Sequence, residues 1–191
     1  MKVLLVVDVQ NDFVTGALAN PEAQKCIPRI KEKIQQRLAE GWTVMFTQDT
    51  HYNSYSASME GKYLPVPHCI ENTWGWQLVD GIKELEEAQL HMPICKNRFG
   101  EECLFENILD RLFPSWRRLR YDTIEEIELI GFCTDICVVS NALILKASVD
   151  NDTIISCDAS CCAGTSIEAH KAALAVMKSC QVEVINEEND K

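Results

Sequence analysis

The sequence predicts an α/β protein, a three-layer sandwich in which helices cover both faces of a six-stranded, mostly parallel sheet. Two observations lead there. Branched apolar runs without polar alternation recur as VLLVVDV (3–9), TVMFTQD (43–49), MPICK (92–96), IELIGF (127–132), TIISCDA (153–159) and VEVINE (182–187). Strands covered on both faces have that composition. Between them lie segments whose apolar residues repeat every three or four positions, the spacing of a helix with one buried face. Alternating strands and helices join by right-handed crossovers, and such sheets bind ligands beyond the carboxyl ends of their strands.

The first helix spans 22–40, where Ala23, Ile27, Ile30, Ile34 and Leu38 form the stripe and Gly41 is the stop. Pro28 either kinks it or marks its real start. Residues 75–89, 102–113 and 137–149 are expected to be helical too. Thr165-Ser166-Ile167-Glu168 has the spacing of a capping box, opening a last helix that reaches about Cys180. The stretch 50–74 is a long loop of mixed polar and aromatic residues, and loops of that length are usually functional or disordered. No internal repeat or Gly/Ser linker interrupts the pattern, so residues 1–191 are expected to form a single domain.

Hydrophobic residues make up 47% and charged residues 25%, a balance expected of a globular protein in water rather than of a membrane or disordered chain. The chain opens directly on an apolar strand without a basic leader, so a cytoplasmic location and no membrane partner are expected. The net charge of −11 argues against nucleic acid or an anionic membrane as partner. The EEND run (187–190) is expected to be a frayed, solvated tail. Ten cysteines in a chain able to bury its own core are expected to be reduced thiols. Cys26, Cys95, Cys157 and Cys180 fall in or beside apolar segments and should behave as small hydrophobes; Cys161-Cys162 is expected to be a packing pair.

Ionisable groups collect at the strand ends. Asp8 closes the first strand, Asp49 the second and Lys96 the third, while Cys133 to Cys137 follow the fourth. Asp8 directly after LLVV is expensive to desolvate, and Lys96 is its obvious counter-ion; a structural ion pair is the plain alternative. Cys137 is expected at a helix N-terminus, where the dipole makes a thiol lose its proton more readily and free N–H groups bind an oxyanion. A buried, inert Cys137 is the competing reading. Asp49 and His51, two apart in an extended segment, project to one side, and His68 can return from the long loop to complete a three-ligand metal site. His91 and His170 have no motif around them and are expected to be surface or helix residues.

Taken together VVDVQNDF, TQDTH, PHC, the lysine of CKNRFG, GFCTDICV and CDASCCAGTSIEAHKAAL resemble the isochorismatase-like cysteine hydrolases, and within them the nicotinamidase branch, over nearly the whole chain. The resemblance implies that family's Rossmann-like fold. It implies a catalytic triad of Asp8, Lys96 and Cys137, and metal ligands Asp49, His51 and His68 holding one divalent ion, zinc, iron or manganese. It further implies an oxyanion hole from the backbone N–H groups of Cys133 and Cys137 with a cis Phe132–Cys133 peptide, and a substrate pocket lined by Phe13. The implied reaction is hydrolysis of nicotinamide to nicotinate and ammonia through a thioester, by a homodimer or larger assembly. Two features depart from the family. The Trp-Pro that commonly precedes the His-Cys pair is replaced by Leu64-Pro65-Val66-Pro67, leaving Tyr63, Trp74 or Trp76 as substitutes for the aromatic wall, and KNRFGEECL after the lysine is unusual. Three other readings remain open: a hydrolase of another small amide or carbamoyl compound, a mononuclear iron oxygenase, which leaves the triad unexplained, and a non-catalytic thiol redox or binding protein.

Overall fold

A computed structural model describes residues 1–113, 124–150 and 152–187. Six strands, β1 (Lys2–Val7), β2 (Thr43–Asp49), β3 (Ile94–Lys96), β4 (Glu126–Phe132), β5 (Ile154–Ala163) and β6 (Glu183–Ile185), form one sheet in the order β3-β2-β1-β4-β5-β6. Every pairing is parallel. Successive side chains alternate across the sheet. Val3, Leu5 and Val7 therefore join one core with α5 (Leu104–Leu112), α6 (Val139–Ser148) and α7 (Ile167–Ser179). Leu4 and Val6 join a second core on the other face, with α1 (Asn11–Val14), α2 (Pro21–Ala39) and Leu78, Val79 and Ile82. Strand order reverses between β1 and β4, so the chain leaves these neighbours in diverging directions and opens a crevice at their carboxyl ends.

Several expected boundaries move, each for a local reason. The α2 helix starts at Pro21, where the Asn20 side chain accepts the N–H groups of Glu22 and Ala23; Pro28 lies inside it and does not mark its start. The helix expected over 75–89 shrinks to α4 (Lys83–Glu87). Its first half is claimed by the chain leaving β1: Asn11 N–H donates to Gln77 O at 2.9 Å, Asp12 N–H to Gly75 O at 3.0 Å, and Val79 N–H to Val9 O at 3.1 Å. The loop 50–74 contains a 3₁₀ turn (Tyr55–Ala57) and the short helix α3 (Met59–Tyr63).

Strand β5 runs four residues further than expected, through Cys161-Cys162, with a register shift opposite Leu129 to Gly131. Gly131 has φ +119° there, and a Cβ would lie 2.1 Å from the Val7 carbonyl oxygen, so only glycine lets β4 pass the end of β1 this closely. The cap of α7 is Ser166, whose hydroxyl accepts Ala169 N–H at 3.1 Å, instead of Thr165. Cys26, Cys157, Cys161 and Cys162 are buried as expected of small hydrophobes. Cys95 and Cys180 are not: Cys95 faces outward on the edge strand β3, and Cys180 ends α7 in solvent. Most of the acidic tail lies outside the described residues, and among those described no helix is long and apolar enough to cross a membrane.

Candidate active site

The crevice between β1 and β4 brings the ionisable strand ends together. Asp8 follows β1 in a left-handed conformation (φ 50°), which aspartate tolerates and which turns its carboxylate back over the sheet. One carboxylate oxygen, Oδ1, accepts the Thr47 hydroxyl at 2.6 Å. The other, Oδ2, lies 2.6 Å from Lys96 Nζ without a hydrogen aligned on it, an ion pair that leaves a lone pair free. Lys96, the last residue of β3, also donates to Arg98 O at 3.1 Å and stands 3.5 Å from both Cys137 Sγ and Asp49 Oδ1. The Cys137 thiol stands near enough to Asp8 to feel the charge of its carboxylate. Asp8, Lys96 and Cys137 thus meet, and all three are buried.

Cys137 does not start its helix. The chain makes the cis Phe132–Cys133 peptide, then a π-helical turn (Thr134–Val138) that leads into α6, so Cys137 sits inside the first turn. The Cys133 carbonyl accepts the N–H groups of Ile136 and Val138, on either side of Cys137. Asn141 Nδ2 holds the Cys137 carbonyl at 2.9 Å, and its Oδ1 takes Glu101 N–H at 2.9 Å.

Burial, not the dipole, decides the thiol's proton. Desolvation first, and then the negative charge of Asp8, push Cys137 well above the usual thiol range, against the pull of Lys96. The expectation of a readily ionised thiol is overturned: a charge on sulfur in this dry site costs more than the partial charges of one helical turn return. Asp8 is itself raised, by burial first, although Lys96 and Thr47 oppose this. Lys96 is pushed upward by Asp8, Cys137 and Asp49 against its own desolvation, and stays charged. The group is a fixed cation beside two bases that compete for one proton.

Asp49, His51 and His68 converge 3.5 Å further on, each offering one ligand atom, with all of these within 4.8 Å of one another. His51 Nε2 is 2.9 Å from Asp49 Oδ2, and His68 Nε2 is 3.5 Å from it. His68 Nδ1 donates to the Val66 carbonyl at 2.9 Å, which aims Nε2 inward. Glu60, on α3, adds a fourth group, with its Oε1 3.5 Å from both Nε2 atoms. The residues fit a divalent ion. Among the described residues His51 Nε2 is buried without an aligned partner, and although burial opposes a charge there, the carboxylates of Asp49 and Glu60 beside it raise the ring to about 9. Two carboxylates packed around two imidazoles call for a positive charge at their centre.

Several residues that hold this arrangement carry no sequence signal of their own. Gln10 clamps the end of β2: its Oε1 accepts Asp49 N–H, and its Nε2 donates to Asp49 O and Trp76 O, all at 2.8 Å. Asp12 accepts Cys69 N–H at 2.7 Å, fixing the residue after His68, and Gly75 packs so closely on that carboxylate that a Cβ would lie 2.1 Å from it. Tyr55 is buried among the imidazoles, with centroids 4.8 Å from His51 and 5.1 Å from His68, and its hydroxyl donates to Leu64 O at 2.9 Å. Glu60, Gln10, Asp12 and Tyr55 become visible only once the loops are folded onto the strand ends.

A largely apolar cavity of about 460 Å³ opens over the group, lined by Phe13, Asp49, Glu60, Leu64, His68, Phe99, Cys133 and Cys137 among others. Phe13 is where the resemblance placed it. The candidates for the missing wall are not: Tyr63 and Trp74 are exposed, and Trp76 packs away from the cavity with Nε1 on Thr50 Oγ1 at 2.9 Å. Leu64 and Phe99 line the space instead, the latter from the unusual segment after Lys96. His91 takes no part in this site.

The signature of the Isochorismatase domain matches residues 2–189. The chain belongs to the isochorismatase family. Among curated members of this family, the nicotinamidase of Escherichia coli is 30% identical over 93% of the chain and 90% of the relative. The nicotinamidase/pyrazinamidase of Mycobacterium tuberculosis is 26% identical over 97% of the chain and 98% of the relative. The crystal structure of nicotinamidase/pyrazinamidase from Bacillus subtilis superposes with a TM-score of 0.76 at 27% identity, covering 96% and 98% of the two chains. The isochorismatase-like fold and the likeness to its nicotinamidase members are thus both evident.

Proposed function

We propose that this protein is a cysteine amidohydrolase that converts nicotinamide to nicotinate and ammonia through a thioester on Cys137. The observation that carries this reading is the meeting of Asp8, Lys96 and Cys137 beneath an apolar cavity beside the Asp49, His51 and His68 cluster. The nicotinamidases of Escherichia coli and Mycobacterium tuberculosis, similar over nearly the whole chain, support the choice of substrate.

The amide enters with its ring between Phe13 and Phe99 and its carbonyl carbon over Cys137. Asp8 takes the thiol proton as sulfur attacks, so the thiolate need exist only during attack, and Lys96 steadies the negative charge as it passes from carboxylate to sulfur. The tetrahedral oxyanion is held by the N–H groups of Cys133 and Cys137. As the carbon–nitrogen bond breaks, Asp8 returns the proton to the departing nitrogen, which leaves as ammonia. Asp8 then takes a proton from water as hydroxide adds to the thioester carbon; as the carbon–sulfur bond breaks Asp8 returns that proton to sulfur, and the nicotinic acid released ionises to nicotinate. Asp49, His51, His68 and Glu60 would hold a divalent metal ion, which when bound supplies a Lewis acid at one end of the cavity. Zinc, iron and manganese all suit these ligands. We read residues 1–191 as one hydrolase domain acting in the cytoplasm as a homo-oligomer.

Ammonia release from nicotinamide by the metal-loaded protein, with nicotinate formed in equal amount, tests the reading. Mass spectrometry of quenched reactions should find a nicotinoyl adduct on Cys137. Turnover retained by C137A would exclude the covalent route, and release of ammonia from aliphatic or carbamoyl compounds alone would replace the substrate.

A further inference from the structure

The sequence leaves His170 as a helix residue without a motif, and the site described above does not use it. It lies half-buried on α7, with Nδ1 2.8 Å from the hydroxyl of Thr134. Thr134 is wholly buried and opens the π-helical turn that carries Cys137. We propose that His170 is a positioning residue: its imidazole holds the Thr134 hydroxyl and thereby sets where the Cys137 sulfur and the Cys133 and Cys137 N–H groups stand relative to Asp8. The proposal rests on the reading of Cys137 as the reacting group.

The turn needs such a hold. A single π-helical turn is wider than an α-helical one, and such turns occur as isolated bulges, frequently at functional sites. Thr165, just before α7, and His170 within it restrain this one. Asp135 receives Thr165 N–H at 2.8 Å and the Thr165 hydroxyl at 2.5 Å, while Thr134 meets His170 one turn further along the helix. The two ties differ in kind. The Asp135 tie is exposed, where water can replace either partner, whereas Thr134 without its imidazole is left with a buried hydroxyl and, among the described residues, no equivalent partner. Such a hydroxyl is satisfied by moving the turn, and a displacement of about 1 Å at a nucleophile is enough to slow chemistry by about a hundredfold.

The surroundings of His170 allow a test that separates positioning from mere stability. The imidazole also lines a second cavity of about 540 Å³ between α2 and α7, bordered by Arg29, Ser166, Lys171 and Asn186, and by none of Asp8, Lys96 or Cys137. Removal of the ring therefore opens a hole onto space that free imidazole can enter without passing through the substrate cavity.

In H170A, kcat for the amide should fall at least tenfold with KM within twofold of the parent. Added imidazole should restore most of kcat while leaving the parent protein unaffected, and H170N, whose amide reaches the same hydroxyl, should retain more activity than H170A. T134V, close in shape to threonine but without the hydroxyl, should match H170A, and the double variant should be no slower than either single one. Wild-type kcat in H170A or T134V overturns the proposal. So does a loss that neither imidazole nor asparagine relieves, or a fully additive double variant. T134V carries the test if H170A does not fold. Should the parent release no ammonia from any carboxamide, the functional reading fails first. The rate of Cys137 alkylation by iodoacetamide, expected several-fold slower in H170A and T134V, then still decides whether His170 places the sulfur; equal rates overturn it.

Discussion

Among the described residues two buried ionic clusters lie against this sheet, and their differences separate a candidate site from a brace. On the α2 face, Lys33 and Arg37 reach down to Glu128 of β4 and Asp158 of β5, with Lys33 Nζ 2.5 Å from Asp158, Arg37 Nε 2.6 Å from Glu128, and both carboxylates fully buried. Each carboxylate oxygen there has a partner; Asp158 also accepts the Ser160 N–H and hydroxyl and the Asn186 amide. At the carboxyl ends of β1 to β3, Asp8, Lys96 and Asp49 are also buried, yet among the described residues Asp8 Oδ2 and His51 Nε2 have no aligned hydrogen bond, and the group faces an open cavity. Burial of charge is common to both, so it does not by itself mark function. Incomplete satisfaction next to empty space does.

The comparison breaks or stands on measurements. The largest effect is expected at Cys137: C137A should lower turnover by a factor on the order of 10⁴ while the thermal midpoint stays within a few degrees of the parent, because the lost interaction exists only during reaction. At the brace the pattern should invert. E128A leaves Arg37 and Lys33 facing a void, so denaturant unfolding should show about 3–5 kcal/mol of lost stability, with kcat/KM per folded molecule unchanged. A brace variant that loses activity without losing stability would erase the distinction.

The brace also predicts the acid limb of stability. Burial works to raise Asp158, but hydrogen bonds from Lys33, Ser160 and Asn186 outweigh it and hold the carboxyl below its usual range. A carboxylate lowered in the folded state contributes stability that is full above its unfolded pKa of about 3.9 and is lost as pH falls through the lower folded value. Thermal midpoints measured from pH 6 downward should therefore fall less steeply in D158N than in the parent. An identical slope would mean that Asp158 is not linked to folding.

Smaller effects should sharpen the other cluster. E60Q keeps the shape of this fourth group but removes its charge, and competition against a chromophoric chelator should show roughly tenfold weaker metal retention, about 1.4 kcal/mol. Unchanged retention would place Glu60 outside the ligand set. F99A should raise KM for nicotinamide a few-fold with kcat nearly constant, the mark of lost uniform binding; a KM unmoved by F99A but raised by L64A would assign the wall to Leu64.

The sheet and most of the ionisable groups that meet at its strand ends were legible because both follow from local chemistry. A run of branched apolar residues has few alternatives to a covered strand, and an Asp or Lys at its end must find a partner or a use. Chain order then placed Asp8, Asp49, Lys96 and Cys137 on one edge, since parallel strands put all their carboxyl ends together. Two local patterns misled. The apolar spacing in 75–89 is helical, yet its backbone bonds to the chain leaving β1, a tertiary competitor invisible from within the segment. The Thr165 box spacing was shifted by one residue because Asp135 takes the Thr165 hydroxyl.

The sequence by itself determined which side chains are ionisable, which segments are strands and in what order they deliver their ends. Only the tertiary structure decided the direction in which the Cys137 proton is pushed, the approach of Glu60 to His51 and His68, and the place of Leu64 and Phe99 on the cavity wall. The reason is the same in each case. Desolvation and convergence depend on atoms contributed by distant segments, so they have no value until the loops have closed over the strand ends.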